Sequence, residues 1–147
     1  MSSDIQRQKA EIAGLYSRVA SSYGRVGPDV FSPIGSWLVE LTNLSSGAQV
    51  LDVATGRGAV LFHAAEQVGP GGQVIGIDLS EHMVLETARD IELRGVKNAG
   101  VQLMDAEQLT FPDASFDVVF CAYALFFFPH IEQALSEFYR VLVVDWE

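Results

Sequence analysis

From Gln49 onward, short apolar runs alternate with segments of helical periodicity, and this alternation restricts the possible folds more than any other feature. The runs predict strands over 49–54, 73–79, 99–105 and 116–124, and the other patterns predict helices over 59–68, 81–94 and 131–142. Two further helices are predicted upstream, one from near Asp4 and one to about Leu44, with Ser32 as the N-cap and Pro33 at the first helical position. Strands joined through helices predict an α/β protein with a parallel sheet and right-handed crossovers.

Composition limits the classes of partner. The 19 acidic and 9 basic side chains give the 147 residues a net charge of −10. This charge repels phosphate backbones and anionic headgroups, so neither nucleic acid nor a membrane surface is expected as a partner. The single cysteine, Cys121, precludes an internal disulfide and a thiolate metal cluster. The first residues lack a signal-peptide core and the longest apolar run, 118–128, is too short to span a membrane, so we expect a cytoplasmic protein.

The stretch QVLDVATGRGAV, residues 49–60, places an acid and two glycines where a strand gives way to a helix. Asp52 ends the predicted strand, and Gly56 and Gly58 follow in the turn. Glycine allows positive φ and removes the Cβ that would collide with a ligand, while the next helix offers free N–H groups. A dinucleotide fingerprint is incomplete, because Leu61 stands where its third glycine belongs. A tight structural turn without a ligand is the alternative.

Two more acids end the next two predicted strands. Asp78 ends VIGID, and Asp105 ends VQLMD. Because open parallel sheets bind ligands at the carboxyl ends of their strands, Asp78 is placed to accept hydrogen bonds from a ribose diol. Asp105 is placed to accept one from an exocyclic amine such as that of adenine. Helix capping or a solvated loop end explains each acid alone equally well, but the three acids with the glycine turn favour a nucleoside site.

Four segments together resemble one known family. VLDVATGRG, VIGIDLSEHMVLETA, DAEQLTFPDASFDVVFCAYALFFF and ALSEFYRVL are similar to the class I S-adenosylmethionine-dependent methyltransferases, in particular to the quinone-biosynthesis and small-molecule group, over about 16–142. The resemblance implies a Rossmann-like three-layer sandwich with a mostly parallel sheet, preceded by N-terminal helices. It also implies a single domain over 1–147, with a helical lid over 1–45 and a cofactor-binding core over 46–147. Transfer of a methyl group from S-adenosyl-L-methionine to a small-molecule acceptor is the implied activity, with S-adenosyl-L-homocysteine as the product.

The resemblance also implies a role for each cofactor-binding residue. The residues around the methionine portion are Asp52, Ala54, Gly56 and Gly58, and the family usually has glycine where Ala54 stands. The residues around the adenosine are Asp78 at the ribose hydroxyls, Leu79 and Met83 beside the adenine, and Asp105 and the backbone of Ala106 at the adenine edge. The residues near the sulfonium and amino group are Cys121, Ala122 and Tyr123, and those that close over the cofactor are Tyr16 and Tyr23.

Methyl transfer from a sulfonium needs alignment and exclusion of water more than acid–base chemistry. If the acceptor must lose a proton, His130, just before the last predicted helix, is one candidate catalytic base, with a helix-start role as the alternative. His63 and His82 are expected on helix surfaces, and no metal-ligand spacing links the three histidines, so no metal is expected. Core packing is the default interpretation of the aromatic run 126–128, and an apolar acceptor pocket is the alternative.

The end of the chain departs from the family pattern. Members usually continue from the last shared helix into a Lys-Pro-Gly-Gly turn and further strands, whereas here FYRVL is followed directly by VVDWE. We expect the sheet to be truncated after the fourth or fifth strand, with VLVVDWE as a strand stub or a helix tail. An open sheet edge predicts a homodimer that covers it. Two alternative functions stay open: a truncated domain that binds S-adenosylmethionine or S-adenosylhomocysteine without turnover, and an NAD-dependent oxidoreductase.

Overall fold

The computed structural model describes residues 2–145 and confirms an α/β fold with a parallel sheet. The helices are α1 (Ser2–Val19), α2 (Phe31–Thr42), α3 (Leu61–Val68), α4 (Glu81–Leu93) and α5 (Ile131–Val141), with a 3-10 turn at Leu125–Phe127. The strands are β1 (Gln49–Val53), β2 (Gln73–Asp78), β3 (Ala99–Leu103) and β4 (Val118–Cys121). None of the helices in this part of the chain combines the length and the apolar character needed to cross a membrane.

The sheet has the strand order β3-β2-β1-β4, and every neighbouring pair is parallel. Leu51 in the centre of β1 pairs with Ile75 of β2 on one side and with Val119 of β4 on the other. The chain moves from β1 outward to β3 and then returns to the opposite side of β1. The strand order therefore reverses between β1 and β4, which is where open parallel sheets leave a crevice at the carboxyl ends of their strands.

Apolar side chains cover both faces of the sheet, because successive residues of a strand point to opposite faces. Val50 and Val74 belong to a buried cluster with residues of α2, α3 and α4. Leu51 and Ile77 belong to a second buried cluster with Phe138 and other residues of α5. Burying each of these side chains contributes roughly 1.5–3 kcal/mol, so the two clusters make the sheet a rigid base for the loops at its carboxyl edge.

The predicted start of α2 is wrong in detail. Ser32 lies inside the helix, and its backbone N–H donates to Oδ1 of Asp29 at 3.0 Å. The carboxylate of Asp29 therefore supplies the acceptor that we expected from the Ser32 hydroxyl, because a charged acceptor suits the positive end of a helix. Pro33 is tolerated in this first turn, whose N–H groups have no partner within the helix.

The segment after α5 forms a strand stub rather than a helix tail. Leu142 has an extended backbone and forms a parallel bridge with Phe116, just before β4. The backbone N–H of Phe116 donates to Val141 O at 2.9 Å, and that of Val143 donates to Phe116 O at 2.8 Å. The first pairing of a fifth strand is thus present beside the start of β4, and residues 146–147 of the predicted stub lie outside the described residues.

Candidate functional site

A cavity of about 430 Å³ lies at the carboxyl ends of the four strands, within the size range of small-molecule sites. Residues that follow each strand, residues of α1 and the first turn of α2 line it together. The sequence-predicted residues that it brings together are Tyr16, Tyr23, Asp52, Ala54, Gly56, Gly58, Asp78, Leu79, Met83, Asp105, Ala106, Ala122 and Tyr123. Tyr16 and Tyr123, which are 107 positions apart in the sequence, therefore line the same cavity.

Cys121 and His130 do not line this cavity. Cys121 is the last residue of β4 and packs against the second core cluster, where burial, reinforced by the charge of Asp52, raises the pKa of its thiol to about 12. It is therefore a neutral thiol at physiological pH. His130 occupies the N-cap position of α5 with an exposed ring that makes no capping hydrogen bond, although its backbone N–H donates to Glu107 Oε2 at 3.3 Å.

The glycine turn after β1, defined as residues 54–58, has three residues with left-handed backbone: Ala54 at φ 55°, Gly56 at φ 53° and Gly58 at φ 83°. A Cβ on Gly58 would lie 2.7 Å from the ring of Phe62, so glycine is required there for steric as well as conformational reasons. Ala54 holds the same kind of conformation with a Cβ, at a cost of roughly 1–2 kcal/mol. This strain explains physically why a glycine suits that position.

Hydrogen bonds hold the peptide groups of Gly56 on both sides. Its N–H donates to Oδ2 of Asp78 at 2.9 Å, and its carbonyl accepts from Oγ1 of Thr87 at 2.6 Å. Asp78 ends β2, and Thr87 is a fully buried residue of α4. The turn is therefore fixed in shape before any ligand enters it.

The three predicted acids share the rim of the cavity but differ in their surroundings. Asp52 lies within β1, is buried, and accepts a hydrogen bond of 2.7 Å from the Thr55 hydroxyl. Burial is the main reason that the pKa of Asp52 is raised to about 7, and the nearby charge of Asp78 acts in the same direction. Burial likewise raises the pKa of Asp78, while hydrogen bonds from the Ser80 and Gly56 N–H groups oppose that shift.

Asp105, two residues beyond β3, is bound to a lysine that the sequence patterns did not indicate. Lys9 Nζ donates to Asp105 Oδ2 at 2.7 Å and to Glu107 Oε1 at 3.0 Å, and only 9% of the lysine side chain is exposed. Burial by itself lowers the pKa of Lys9, but the two carboxylates outweigh it and the pKa is raised. Lys9, Ile12 and Tyr16 have the spacing of one helix face, and all three line the cavity. This spacing was the available sequence signal that Lys9 faces the cavity.

Five aromatic rings form an arc along the cavity. In order the rings are those of Tyr123, Phe31, Tyr23, Tyr16 and Phe127, with successive centroids 6.5, 5.3, 5.8 and 5.7 Å apart. Burial raises the pKa of both Tyr16 and Tyr23, and so keeps these phenols neutral. The arc gives the cavity a large apolar wall.

The aromatic run 126–128 divides between the two expected roles. Phe127 and Phe128 line the cavity, and Phe128 also packs edge-on against Phe138 of α5 at 6.4 Å. Phe126 is exposed and does not line the cavity. Neither core packing nor an acceptor pocket describes the whole run.

The other two histidines contact the N-terminal helices. His63 Nε2 is 3.2 Å from the Ser32 hydroxyl and lines the cavity, so the expectation of a simple helix-surface residue is wrong for it. His82 is exposed, as expected, and its Nδ1 is 3.2 Å from the Ser17 carbonyl. Ser17 Oγ also lies 2.7 Å from Ser80 Oγ, so α1 is attached to the start of α4 by polar contacts.

Together, these groups suit one kind of ligand. Carboxylate oxygens of Asp78 and Asp105 are acceptors for hydroxyl and amino donors, and each oxygen has capacity for more than the one bond described above. The turn has no side chains of its own at Gly56 and Gly58, and the aromatic arc offers apolar contact. A nucleoside with an extended tail fits these features.

Comparisons with known proteins agree with a site for a nucleoside that has an extended tail. The family described as "Methyltransferase domain" matches residues 50–145. Aklanonic acid methyltransferase DauC of Streptomyces sp. (strain C5) is 38% identical over 134 residues, which cover 91% of this chain and 61% of that protein. Nocamycin O-methyltransferase of Saccharothrix syringae is 40% identical over 131 residues, covering 89% of this chain and 47% of that protein.

Among solved structures, a SAM dependent methyltransferase from Aquifex aeolicus superposes with a TM-score of 0.69 at 30% identity, over 74% of this chain and 57% of that one. The chain thus spans about half to three-fifths of the length of these relatives. The family match extends from β1 to the strand stub, and so includes the glycine turn and the residues after all four strands. This chain belongs to the methyltransferase domain family, and its cofactor is S-adenosyl-L-methionine.

Proposed function

We propose that this chain catalyses transfer of the methyl group of S-adenosyl-L-methionine to a small-molecule acceptor and releases S-adenosyl-L-homocysteine. The observation that carries the proposal is that one cavity contains acids at the carboxyl ends of three strands, a turn with left-handed backbone and an aromatic arc. Among the relatives, one is named as an O-methyltransferase and another as an aklanonic acid methyltransferase, and both names support a small-molecule acceptor.

The side chains of the cavity fit this cofactor. Asp78 is the proposed acceptor for the ribose hydroxyls, and Asp105 with the backbone of Ala106 is proposed to bind the adenine edge. Leu79 and Met83 supply apolar contact for the adenine, and both line the cavity. The proposed site of the methionine portion is formed by Asp52, Ala54, Gly56 and Gly58, and Ala122 and Tyr123 are proposed to lie near the sulfur. Cys121 is proposed to support these two residues from the core below.

S-adenosyl-L-methionine supplies an activated methyl group on a sulfonium, so the chain's task is to align it with the acceptor and keep water away. Tyr16 and Tyr23 perform the second task in this proposal, because they belong to the aromatic arc and are joined to the N-terminal helical segment. The division into a helical lid over 1–45 and a core over 46–147 is part of the same proposal. Contacts of α1 with α4 and with the cavity support it.

A base is needed only when the acceptor must lose a proton in the reaction. His130 remains the candidate for that role, and its neighbour Pro129 lines the cavity. Replacing His130 by Gln tests the assignment: a fall in kcat of about a hundredfold, with loss of the acidic limb of the pH profile, supports it. An unchanged kcat rejects it.

We also propose a homodimer. The outer side of β4 has, within residues 2–145, only the Phe116–Leu142 bridge as a strand pairing. Leu135 and Tyr139 of the neighbouring α5 are exposed large side chains one helical turn apart, and Val143 is exposed as well. Sedimentation velocity of the full chain tests the proposal, because a dimer should be lost when Leu135 and Tyr139 are both replaced by Lys, and a wild-type monomer would overturn it.

Cytoplasmic location and the lack of a nucleic-acid partner complete the proposal. Their support is the net charge of −10 and the single cysteine. Cell fractionation tests the first. The second is tested by a filter-binding assay at low salt, in which retention of labelled nucleic acid would contradict it.

The activity itself is tested by incubating the full chain with methyl-labelled S-adenosyl-L-methionine and a panel of phenols, amines and quinols. Transfer of label to any acceptor, dependent on the intact cavity, supports the proposal. Binding of S-adenosyl-L-homocysteine without any labelled product across the panel would instead favour the alternative of a binding domain without turnover. The nicotinamide-dependent alternative is not favoured by the family match or by Leu61 at the third glycine position of the dinucleotide fingerprint.

A further inference from the structure

A charged side chain is buried inside the glycine turn. Arg57 stands between Gly56 and Gly58, lines the cavity, and has only 8% of its side chain exposed. Burying a guanidinium is costly unless charged and polar partners surround it. The positions of the partners of Arg57 therefore show which parts of the chain it joins.

The Arg57 guanidinium contacts two other parts of the chain. Its Nη2 donates to Oδ2 of Asp90 in α4, which is itself buried. Its Nη1 donates to the carbonyl of Ala20, directly after α1, at 2.6 Å, and at 3.4 Å to that of Ser21. One planar group thus joins the glycine turn, α4 and the segment that leads out of the N-terminal helix, a geometry that suits arginine because its donors form a rigid fork.

A second arginine strengthens the same junction. Arg25, in the loop between α1 and α2, donates from Nη2 to Oδ1 of Asp90 at 2.7 Å, so each oxygen of this carboxylate binds one arginine. Burial alone raises the pKa of Asp90, but Arg57 and Arg25 outweigh it and the pKa is lowered. Asp90 is therefore a fixed anion to which both the turn and the loop after α1 are bound.

The junction is not arranged for stability alone. Nε of Arg57 is buried and has no hydrogen-bond partner within residues 2–145. Replacing a buried ion pair by packed apolar side chains is often neutral or stabilising, so stability alone does not require an arginine here. What an apolar side chain would lack is the bond to the Ala20 carbonyl, which is the link between the turn and α1.

The segment that Arg57 holds carries an aromatic residue of the proposed lid. Tyr23 lies between Ala20 and Arg25 in sequence, its N–H donates to Val19 O at 2.8 Å, and its ring edge is 3.7 Å from where a Cβ on Gly56 would be. Tyr23 therefore covers the turn from one side while Arg57 fastens the same segment from the other. Moving the segment 20–25 away from the turn would break the bond from Arg57 to the Ala20 carbonyl and the bond from Arg25 to Asp90.

We propose that Arg57 is a positioning residue that couples closure of the N-terminal segment, residues 16–31, to the shape of the glycine turn. It acts through Asp90 and the Ala20 carbonyl rather than by touching the cofactor. The inference rests on the proposed function in one respect, namely that the turn holds the methionine portion of the cofactor. Its consequence is that the turn and the tyrosines of the lid bind the cofactor as one unit.

The decisive variant is Arg57→Lys, which keeps the charge but cannot bind Asp90 and the Ala20 carbonyl through one planar fork. We expect affinity for S-adenosyl-L-homocysteine to fall at least tenfold and the KM for S-adenosyl-L-methionine to rise by a similar factor, with kcat at saturation within threefold of wild type. In hydrogen–deuterium exchange, bound S-adenosyl-L-homocysteine should slow exchange of residues 16–31 in the wild type but not in the variant at equal saturation.

Arg89→Gln is the matched control, because Arg89 is an exposed arginine of α4, next to Asp90 in sequence, that pairs only with Glu86 within the described residues. It should leave affinity and exchange unchanged. A role in stability alone predicts a lower Tm for Arg57→Lys with unaltered affinity, so affinity within twofold of wild type together with retained protection of residues 16–31 would overturn the proposal.

Arg25→Gln keeps the test valid if Arg57 variants do not fold, because 56% of the Arg25 side chain is exposed and Asp90 keeps Arg57 as its partner. It should weaken binding of S-adenosyl-L-homocysteine two- to fivefold and speed exchange of residues 16–31 in the free protein, and no change in either would count against the coupling. If wild type binds no S-adenosyl-L-homocysteine, the proposed function fails instead. In that case the hydrogen–deuterium exchange rates of residues 16–31 in the ligand-free Arg25→Gln and Arg89→Gln variants, each compared with wild type, still test whether the segment is coupled to the turn.

Discussion

The backbone N–H of Gly56 donates a 2.9 Å hydrogen bond to the carboxylate of Asp78, which lies 22 residues further along the chain and ends the neighbouring strand. One carboxylate thus has two tasks in this account. It fixes the shape of the turn proposed to hold the methionine portion of the cofactor, and it is the proposed acceptor for the ribose hydroxyls. Removing this one side chain should therefore weaken contacts with both the methionine portion and the ribose of the cofactor.

Replacing Asp78 by Ala should weaken binding of S-adenosyl-L-homocysteine by about 1–3 kcal/mol, because the ribose hydroxyls and the Gly56 N–H lose a charged acceptor. Equilibrium dialysis measures this as a rise in Kd of roughly five- to 150-fold. Asp113→Ala removes an exposed carboxylate that pairs with Arg140 and serves as the control. An Asp78→Ala variant that binds as tightly as the control would reject the role assigned to Asp78.

Asp52 should make the protein less stable as pH rises toward neutrality. Its pKa is raised from 3.8 to about 7 in the folded chain, so between these values the folded state binds a proton that the unfolded state has released. The free energy of unfolding should consequently decline from about pH 4 to pH 7 and then level off with respect to this group. Because other groups titrate in the same range, the prediction concerns the difference between wild type and Asp52→Asn, which should show a shallower decline.

Urea unfolding at several pH values measures that difference. Asparagine is nearly isosteric with aspartate and retains an oxygen that can accept from the Thr55 hydroxyl. Parallel curves for the two proteins across this range would show that Asp52 is already ionised in the folded state at pH 4.

Ala54→Gly should stabilise the chain, since the alanine adopts φ 55° and glycine reaches that region without strain. The gain is about 0.5–1 kcal/mol, after subtracting the greater freedom of glycine in the unfolded state. Ala88→Gly in the exposed face of α4 is the matched control and should have the opposite sign, with a loss of about 1 kcal/mol. If both variants lose stability equally, Ala54 is not strained.

Lys9→Met should destabilise the fold by about 3–5 kcal/mol, because it leaves the Asp105 and Glu107 carboxylates together without their cation. The double variant Lys9→Met, Glu107→Gln should recover part of that loss, since it removes one of the two charges. Lys97→Met, at an exposed lysine, should change stability by less than about 0.5 kcal/mol. Chemical denaturation of these three variants and of Glu107→Gln alone provides the comparison, and additive effects of Lys9→Met and Glu107→Gln would show that the residues are not coupled.

The regular elements of the core were predictable because their signal is local. The apolar runs of β1 and β2 lie between glycine-rich turns, and each strand was identified to within one residue at its end. Asp78 and Asp105 could be assigned to one rim because parallel strands end at the same edge of a sheet. The Asp29 contact at the start of α2 was missed, although it also is local, because the Ser-Pro pair presented a competing cap.

The contacts that hold the N-terminal helix were not predictable, since they depend on how helices dock. Lys9 and Asp105 are separated by 96 residues, and Arg57 and Asp90 by 33, and neither spacing has meaning within one helix or strand. A charged residue on a helix or in a turn is usually solvated. For Lys9 the one local signal is its helix-face spacing with Ile12 and Tyr16, and Arg57 has no such signal. The glycine turn was therefore recognised from its glycines, while the residue between them, Arg57, went unassigned.

The most direct test of the central claim is calorimetric titration of the full 147-residue chain with S-adenosyl-L-homocysteine, with NAD in a parallel experiment. The account predicts binding of one S-adenosyl-L-homocysteine per chain, displaced by S-adenosyl-L-methionine and weakened in Asp78→Ala, and no heat with NAD. Heat with NAD and none with S-adenosyl-L-homocysteine would contradict it.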